Sequence, residues 1–223
     1  MRASSEHPRS SPFRDRSDAG RQLGAALATR PTHPEVVLAI PRGGVPVAYE
    51  VARTLDAPLD IVLVRKLGLP AQPEVAMGAI GEGGFRIVDD ALLRSVRVDE
   101  ADLRLVEDRE NIELKRRAAL YRGNRPPIPL AGRSIVVVDD GVATGSTAMV
   151  ACLVARHAGA RTIELAVPVA PLGWERRMGR SADTYFALTT PESFSSVGRW
   201  YQDFSQTTDD DVEQLLLTAT PPM

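Results

Sequence analysis

The chain has 223 residues, 43% hydrophobic and 25% charged, the composition of a globular protein long enough for one α/β domain with a sizeable core. A formal net charge of −2 gives no general electrostatic reason to expect nucleic acid or an anionic membrane as partner, and a single cysteine, Cys152, excludes an internal disulfide. No apolar stretch has the length of a membrane-crossing helix and no signal-peptide core opens the chain, so a reducing, cytoplasmic location is expected.

Residues 1–12, rich in Ser, Pro and Arg, are expected to form a disordered tail, and residues 13–223 a single domain with its core at 35–190. Ala19, Leu23, Ala26 and Leu27 form a helical stripe within 15–29. Pro31 and Pro34 break the chain before a short buried strand at 36–40. Pro41-Arg42-Gly43-Gly44 reads as a tight turn, and Pro46 suits the first turn of a helix presenting Val47, Ala48, Val51, Ala52 and Leu55 inward. A strand at 59–64 completes a right-handed β-α-β unit. Beyond Arg65-Lys66, five Gly and two Pro within 68–84 predict a mobile loop or a loose hairpin, ending in a strand near 85–88.

Residues 99–121 read as a long charged helix, with Glu100–Arg104 and Glu113–Arg117 at the favourable i,i+4 spacing and the charges forming a solvated face. Gly123 ends it, and Pro126, Pro127 and Pro129 make a stiff connection. A second β-branched strand follows, then a helix carrying Met149, Val150, Leu153 and Val154, in which Cys152 reads as a packed core thiol. Strands at 162–167 and 184–188 bracket a short helical piece at 174–179. Trp200, Tyr201 and Phe204 precede a final helix from Asp209. This alternation predicts one doubly wound, mostly parallel α/β sheet with helices on both faces.

The run Ile135-Val136-Val137-Val138-Asp139-Asp140-Gly141-Val142-Ala143-Thr144-Gly145-Ser146-Thr147 carries most of the chemistry. Four β-branched residues predict a strand buried on both faces. Two carboxylates follow at its carboxyl end, where open α/β sheets place their ligands. A loop of small residues and hydroxyls then opens a helix, an arrangement that can turn several backbone N–H groups toward one phosphate. Acids for hydroxyls and amides for phosphate point to a pentose phosphate. No Lys follows Gly145, so this is not a Walker A loop, and no G-x-G-x-x-G follows the first strand.

From Val136 to Thr147 the run resembles, without a gap, the signature of the type I phosphoribosyltransferases, which use phosphoribosyl pyrophosphate (PRPP). Ser146 stands where many members carry Gly; it keeps the backbone N–H and adds a hydroxyl. The order Pro-Arg-Gly, Arg-Lys-x-Gly-x-Pro and then the acid pair is most similar to adenine phosphoribosyltransferases. The likeness covers 36–167 and is weak within 72–133.

The resemblance implies the fold of that family, with a small hood built from the terminal segments 13–30 and 191–223. It makes Arg42, Gly43 and Gly44 the pyrophosphate loop, with a non-proline cis peptide expected between Arg42 and Gly43. Arg65 and Lys66 become further cations for pyrophosphate, at the root of a mobile catalytic loop, with Lys66 the better candidate. Ala143, Thr144, Gly145, Ser146 and Thr147 would grip the 5′-phosphate. Asp139 and Asp140 would hold the ribose hydroxyls directly or through Mg2+, an ion that keeps much of its water and needs no protein-built cluster. Asp140 would also lie near the incoming base. Asp139, Asp140 and Lys66 are thus the candidate catalytic residues.

The implied reaction transfers the 5-phosphoribosyl group from PRPP to a nitrogenous base, a purine in the leading reading, with release of pyrophosphate through an oxocarbenium-like transition state. Trp200 and Tyr201 are candidates either to stack on the base or to pin the tail with Phe204. Glu74 and Glu82 are candidates for proton transfer, and His7, His33 and His157 have no spacing that suggests a metal site. A homodimer is a candidate assembly. The rival reading is a PRPP-binding regulatory protein with little or no catalysis; intact Arg42, Lys66 and both acids favour the enzyme. A third reading gives PRPP an amine acceptor.

Overall fold

The computed structural model describes residues 13–31 and 33–219, so the expected tail at 1–12 lies outside the described residues. The first half of the chain runs α1 (Arg16–Ala28), β1 (Val36–Ala39), α2 (Gly44–Leu55), β2 (Leu59–Ile61), β3 (Val64–Gly68), β4 (Ala76–Gly81), β5 (Arg86–Val88) and α3 (Asp90–Val96). The second half runs α4 (Glu100–Arg122), β6 (Ser134–Val138), α5 (Ser146–His157), β7 (Thr162–Val169), α6 (Glu175–Met178), β8 (Thr184–Thr189) and α7 (Asp209–Ala219).

Five strands form one parallel sheet in the order β2-β1-β6-β7-β8. Alternate side chains of the central strands enter two separate cores. Val37, Ala39, Val136 and Val138 pack with Leu23 of α1, Val47 and Val51 of α2 and Val212 of α7. Val36, Leu38, Ile135 and Val137 pack on the other face against Ala151 and Cys152 of α5. The continuous β-branched run is therefore apolar because both of its faces are covered. Burial pushes the Cys152 thiol up to about 12, as suits a core residue.

The strand order reverses between β1 and β6. From β1 the chain crosses through α2 to β2 on one side; from β6 it crosses through α5 to β7 on the other. Ala39 is registered against Val138, so the turn after β1 and the acids after β6 leave the sheet side by side. Such a reversal opens a crevice at the carboxyl ends of the two strands.

The expected strand at 59–64 divides. Val62 N–H still donates to Ala39 O at 2.9 Å, and the chain then departs as β3 into a second, antiparallel sheet of order β3-β4-β5. Of the loop and the hairpin expected here the hairpin is what forms, extended by β5. Its order comes from Leu67, Met77 and Ile80, which pack into the same core as Leu103 and Val106 of α4. Arg122, at the end of α4, ties the two sheets together. Its Nε donates to Asp60 Oδ1 at 2.7 Å and its Nη2 to the Ile61 carbonyl at 2.7 Å, while Nη1 pairs with Glu82. Glu82 is thereby committed to structure and is withdrawn as a proton-transfer candidate. Among the described residues no helix is long and apolar enough to cross a membrane.

Candidate active site

Asp139 and Asp140 follow β6 directly and are only partly exposed. Asp140 N–H donates to Asp139 Oδ1 at 2.9 Å, which turns the first carboxylate back over its own turn. Burial raises the Asp139 carboxyl well above the usual carboxylate range, and the neighbouring Asp140 charge raises it further. Burial also raises Asp140, against the pull of Arg16.

Arg16 was not singled out by its sequence, yet it is the cation closest to the pair. Its Nε donates to Asp140 Oδ2 at 2.8 Å and its Nη1 to the Ser205 carbonyl at 2.7 Å. The guanidinium carbon lies 3.8 Å from the centroid of the Phe204 ring. Asp15 caps α1 by accepting from Asp18 N–H at 2.7 Å, so the helix start places Arg16 at the crevice. The segment before it is held by the tail: Phe13 N–H donates to Trp200 O, and Gln202 N–H to Phe13 O, each at 2.7 Å. Tyr201 lies between Phe13 and Phe204, with ring centroids 5.4 and 5.0 Å away, and its hydroxyl donates to the Asp140 carbonyl at 2.5 Å. Of the two roles expected for Tyr201, pinning the tail is the one these contacts describe. Nothing local marks Arg16 among the other N-terminal arginines; only the closure of the two ends on each other does.

Two helices start at the crevice, and neither has a side-chain cap. α2 has Gly43 at its N-cap and α5 has Gly145, and no side chain bonds the first-turn amides of either. In α2 the Gly44 and Val45 amides donate to the carbonyls of Ile40 and Arg42 at 3.0 and 3.1 Å, and Pro46 has no N–H, so its start offers the helix dipole more than free donors. By helix geometry the first amides of α5 lack intrahelical partners and carry the positive end of the dipole. Gly145 has φ +87, a left-handed conformation, and the first bond of its helix runs from Met149 N–H to Gly145 O at 2.8 Å. Ala143, Thr144, Ser146 and Thr147 are exposed around it, with the Thr144 and Ser146 hydroxyls 3.4 Å apart. An ordinary capped helix would have spent these amides on a side chain; here they stay available to an anion.

Across the crevice, Gly43 and Gly44 let the β1 turn lie directly on the acids. A Cβ at Gly43 would sit 2.1 Å from Asp140 Oδ2, and one at Gly44 2.8 Å from the Val138 carbonyl and 3.0 Å from Asp139 Cα. The cis peptide expected between Arg42 and Gly43 lies one bond earlier, at Pro41–Arg42; Gly43 already has the helical φ −59 and ψ −32 of the start of α2. Arg42 Nη1 is 3.5 Å from Asp209 Oδ1 at the start of α7, and Asp209 also accepts from the Tyr121 hydroxyl at 2.6 Å. That hydrogen bond, with Arg42 beside it, lowers the Asp209 carboxyl.

The structure therefore brings together Arg42, Gly43, Gly44, Asp139, Asp140 and the 143–147 loop. The other two expected cations sit on β3 and are engaged elsewhere. Arg65 donates to Glu110 Oε2 through Nε and Nη2, at 2.8 and 2.6 Å, and Lys66 Nζ donates to the Glu74 carbonyl at 2.9 Å. Among the described residues, no group of three or more His, Cys, Asp or Glu side chains is placed to hold a metal ion.

Comparison with known proteins agrees with this arrangement. The phosphoribosyl transferase domain family matches residues 21–198, a span that contains the β1 turn, the acid pair and the α5 loop. A Mycobacterium tuberculosis protein named as a phosphoribosyl transferase is 52% identical over 204 residues, 92% of this chain and 46% of its own. The chain thus spans about half the length of the curated relatives it matches. An adenine phosphoribosyltransferase of Kineococcus radiotolerans is 49% identical over 51 residues, 22% of this chain and 28% of its own. The crystal structure of TT1426 from Thermus thermophilus aligns with a TM-score of 0.82 at 44% identity, covering 94% of this chain and 100% of that one. With the family matched across the whole central sheet, this chain belongs to the phosphoribosyl transferase domain family.

Proposed function

We propose that this protein is a phosphoribosyltransferase that transfers the 5-phosphoribosyl group of PRPP to a nitrogenous base and releases pyrophosphate. One observation carries the reading: where the strand order reverses, a carboxylate pair lies between the start of α5, which no side chain caps, and the Arg42-Gly43-Gly44 turn packed against the acids. A ligand that fits has an anion at each end and hydroxyls between, which describes PRPP. The α5 amides at Ala143, Thr144, Gly145, Ser146 and Thr147, with the Ser146 and Thr147 hydroxyls, take the 5′-phosphate. The α2 start at Gly43 and Gly44, with Arg42, takes the pyrophosphate. Asp139 and Asp140 accept from the ribose hydroxyls.

The same carboxylates fit Mg2+. They offer hard oxygen donors, with Arg16 bonded to Asp140 and no cation bonded to Asp139 among the described residues, and too few ligands to form a site without the substrate's own oxygens and water. When bound, the ion supplies charge neutralisation for the departing pyrophosphate. This chain's residues do the rest. As the C1–O bond breaks, Arg42 and Lys66 meet the charge gathering on the leaving oxygens, and Lys66 exchanges the Glu74 carbonyl for them. The Asp139 and Asp140 carboxylates hold the ribose while its ring becomes electron-poor. The segments 13–30 and 191–223 act as the hood on the acceptor side, where Arg16, Tyr201 and Phe204 gather beside Asp140. A purine is the favoured acceptor because the motif order is most like that of adenine phosphoribosyltransferases. This assigns the protein to nucleotide salvage in the cytoplasm.

The test incubates the protein with PRPP, Mg2+ and a panel of purine and pyrimidine bases and follows pyrophosphate release. Release dependent on a purine is the expected result. Saturable PRPP binding without turnover on any acceptor would replace catalysis with a regulatory role. Absence of saturable PRPP binding would remove both readings.

A further inference from the structure

The cation of the β1 turn meets a counter-charge from the far end of the chain. Arg42 Nη1 lies 3.5 Å from Asp209 Oδ1, and among the described residues no other side chain is bonded to Arg42. The same Oδ1 accepts from the Tyr121 hydroxyl at 2.6 Å, and Tyr121 is fully buried near the end of α4. Burial and the bond to Asp209 push that hydroxyl up to about 12, so at neutral pH it remains a donor. The start of α7 does not need this acid. Thr208 N–H donates to Asp211 Oδ2 at 2.8 Å and Asp211 N–H to Thr208 Oγ1 at 3.1 Å, a reciprocal cap that is complete without Asp209. The two contacts on Asp209 also differ in kind. The Tyr121 bond is short and fixes the carboxylate. The Arg42 contact uses one nitrogen at the limit of hydrogen-bonding distance, with both side chains one-third exposed, so it carries charge and sets no orientation.

We propose that Asp209 competes with pyrophosphate for Arg42, yielding the guanidinium when the anion arrives and reclaiming it when the anion leaves. This role rests on the reading of Arg42 as a pyrophosphate cation. Pyrophosphate oxygens can take both arms of the guanidinium fork in charge-assisted bonds, which the single long contact to Asp209 does not. Exchange therefore favours the ligand, but the ligand must first displace the acid. Asp209 is not stranded when Arg42 departs: it keeps the Tyr121 hydroxyl, and Arg117 of α4 also helps to hold its carboxyl low. Without this counter-charge Arg42 would grip pyrophosphate more tightly and let it go more slowly. An acid that served to aim Arg42 would act in the opposite sense, and its loss would weaken binding. Asp209 acts on the ligand only through Arg42.

Calorimetric titration of the full chain with pyrophosphate and Mg2+ tests this without any acceptor. The parent should bind, and Arg42→Ala should weaken binding about tenfold or more. Asp209→Asn keeps the oxygen that Tyr121 bonds and should tighten binding about two- to fivefold, the range of a partly exposed ion pair. Asp209→Glu retains the charge and should not tighten it. In an Arg42→Ala background, Asp209→Asn should shift the affinity by less than about twofold, since the pair it would break is already gone. A merely structural Asp209 could only weaken binding when replaced. Asp209→Asn that leaves the affinity unchanged or lowers it overturns the proposal while the pyrophosphate reading stands. So does tightening that persists without Arg42, which would be direct repulsion of the ligand by Asp209. A parent that binds no pyrophosphate, or is indifferent to Arg42→Ala, removes the reading of Arg42 and this role with it.

Discussion

Asp140 is the most constrained residue of the crevice: Arg16 holds its carboxylate, Tyr201 bonds its carbonyl and Gly43 lies against its side chain. Among the described residues Asp139 has only the Asp140 amide, and burial next to a like charge leaves it the more reluctant to ionise. Replacing it with Asn keeps the shape and removes the charge. Asp139→Asn should lower transferase activity by about a hundredfold or more, because a charge aimed at the transition state is lost. Its urea midpoint should hold or rise, since the carboxyl whose charge burial and Asp140 both oppose is gone. Steady-state rates and denaturation curves on the same preparation check both. A raised carboxyl keeps its proton to higher pH than usual. A ligand that needs the pair ionised must expel that proton, so PRPP–Mg2+ affinity should strengthen as pH rises through the raised range and weaken on acidification. Calorimetry in buffers of different ionisation enthalpy should report protons released on binding; uptake or none would contradict the assignment. The acid pair was legible as a run of letters. Arg16 was not, because its role depends on the tail reaching back to residue 13.

At the scale of elements, helix starts were the readable part. The helices expected at 15–29 and 99–121 form as α1 and α4, capped by Asp15 and Asp99, and Gly123 closes α4 as expected. The closeness of α1 to α2 was not readable. It rests on Gly20, where a Cβ would sit 2.5 Å from the Val47 carbonyl and 2.9 Å from Glu50 Cβ. Gly20→Val should cost about 1–3 kcal/mol through overpacking, read as a lowered unfolding midpoint. Because α1 carries Arg16, the same variant should also weaken PRPP binding. The second sheet was hidden for a related reason. Residues 68–84 have a loop's composition, but Leu67, Met77 and Ile80 find partners on α4 more than twenty residues further along the chain.

At the scale of the whole molecule, the two sheets are joined by the cluster of Arg122, Asp60 and Glu82. Arg122 and Asp60 are nearly inaccessible, and Asp60 also accepts from the amides of Ile61 and Ile128, each at 2.8 Å. Arg122→Met removes the cation and leaves buried Asp60 and half-buried Glu82 without it. The expected loss is about 3–5 kcal/mol in urea denaturation, larger than for any exposed pair on α4. Triple replacement of Arg122, Asp60 and Glu82 by apolar residues of similar size should recover most of it, which would identify the loss as unpaired charge and not lost packing.

The parallel sheet, the 143–147 loop and the acid pair were written in contiguous letters, because a strand buried on both faces and a helix start both leave their mark within about a dozen residues. Which side chains neutralise those acids, where the chain leaves the first sheet, and how Arg42, Tyr121 and Asp209 come to share hydrogen bonds depended on residues distant in sequence meeting in space. Periodicity records which face of an element is apolar, but it holds no record of what that face will touch.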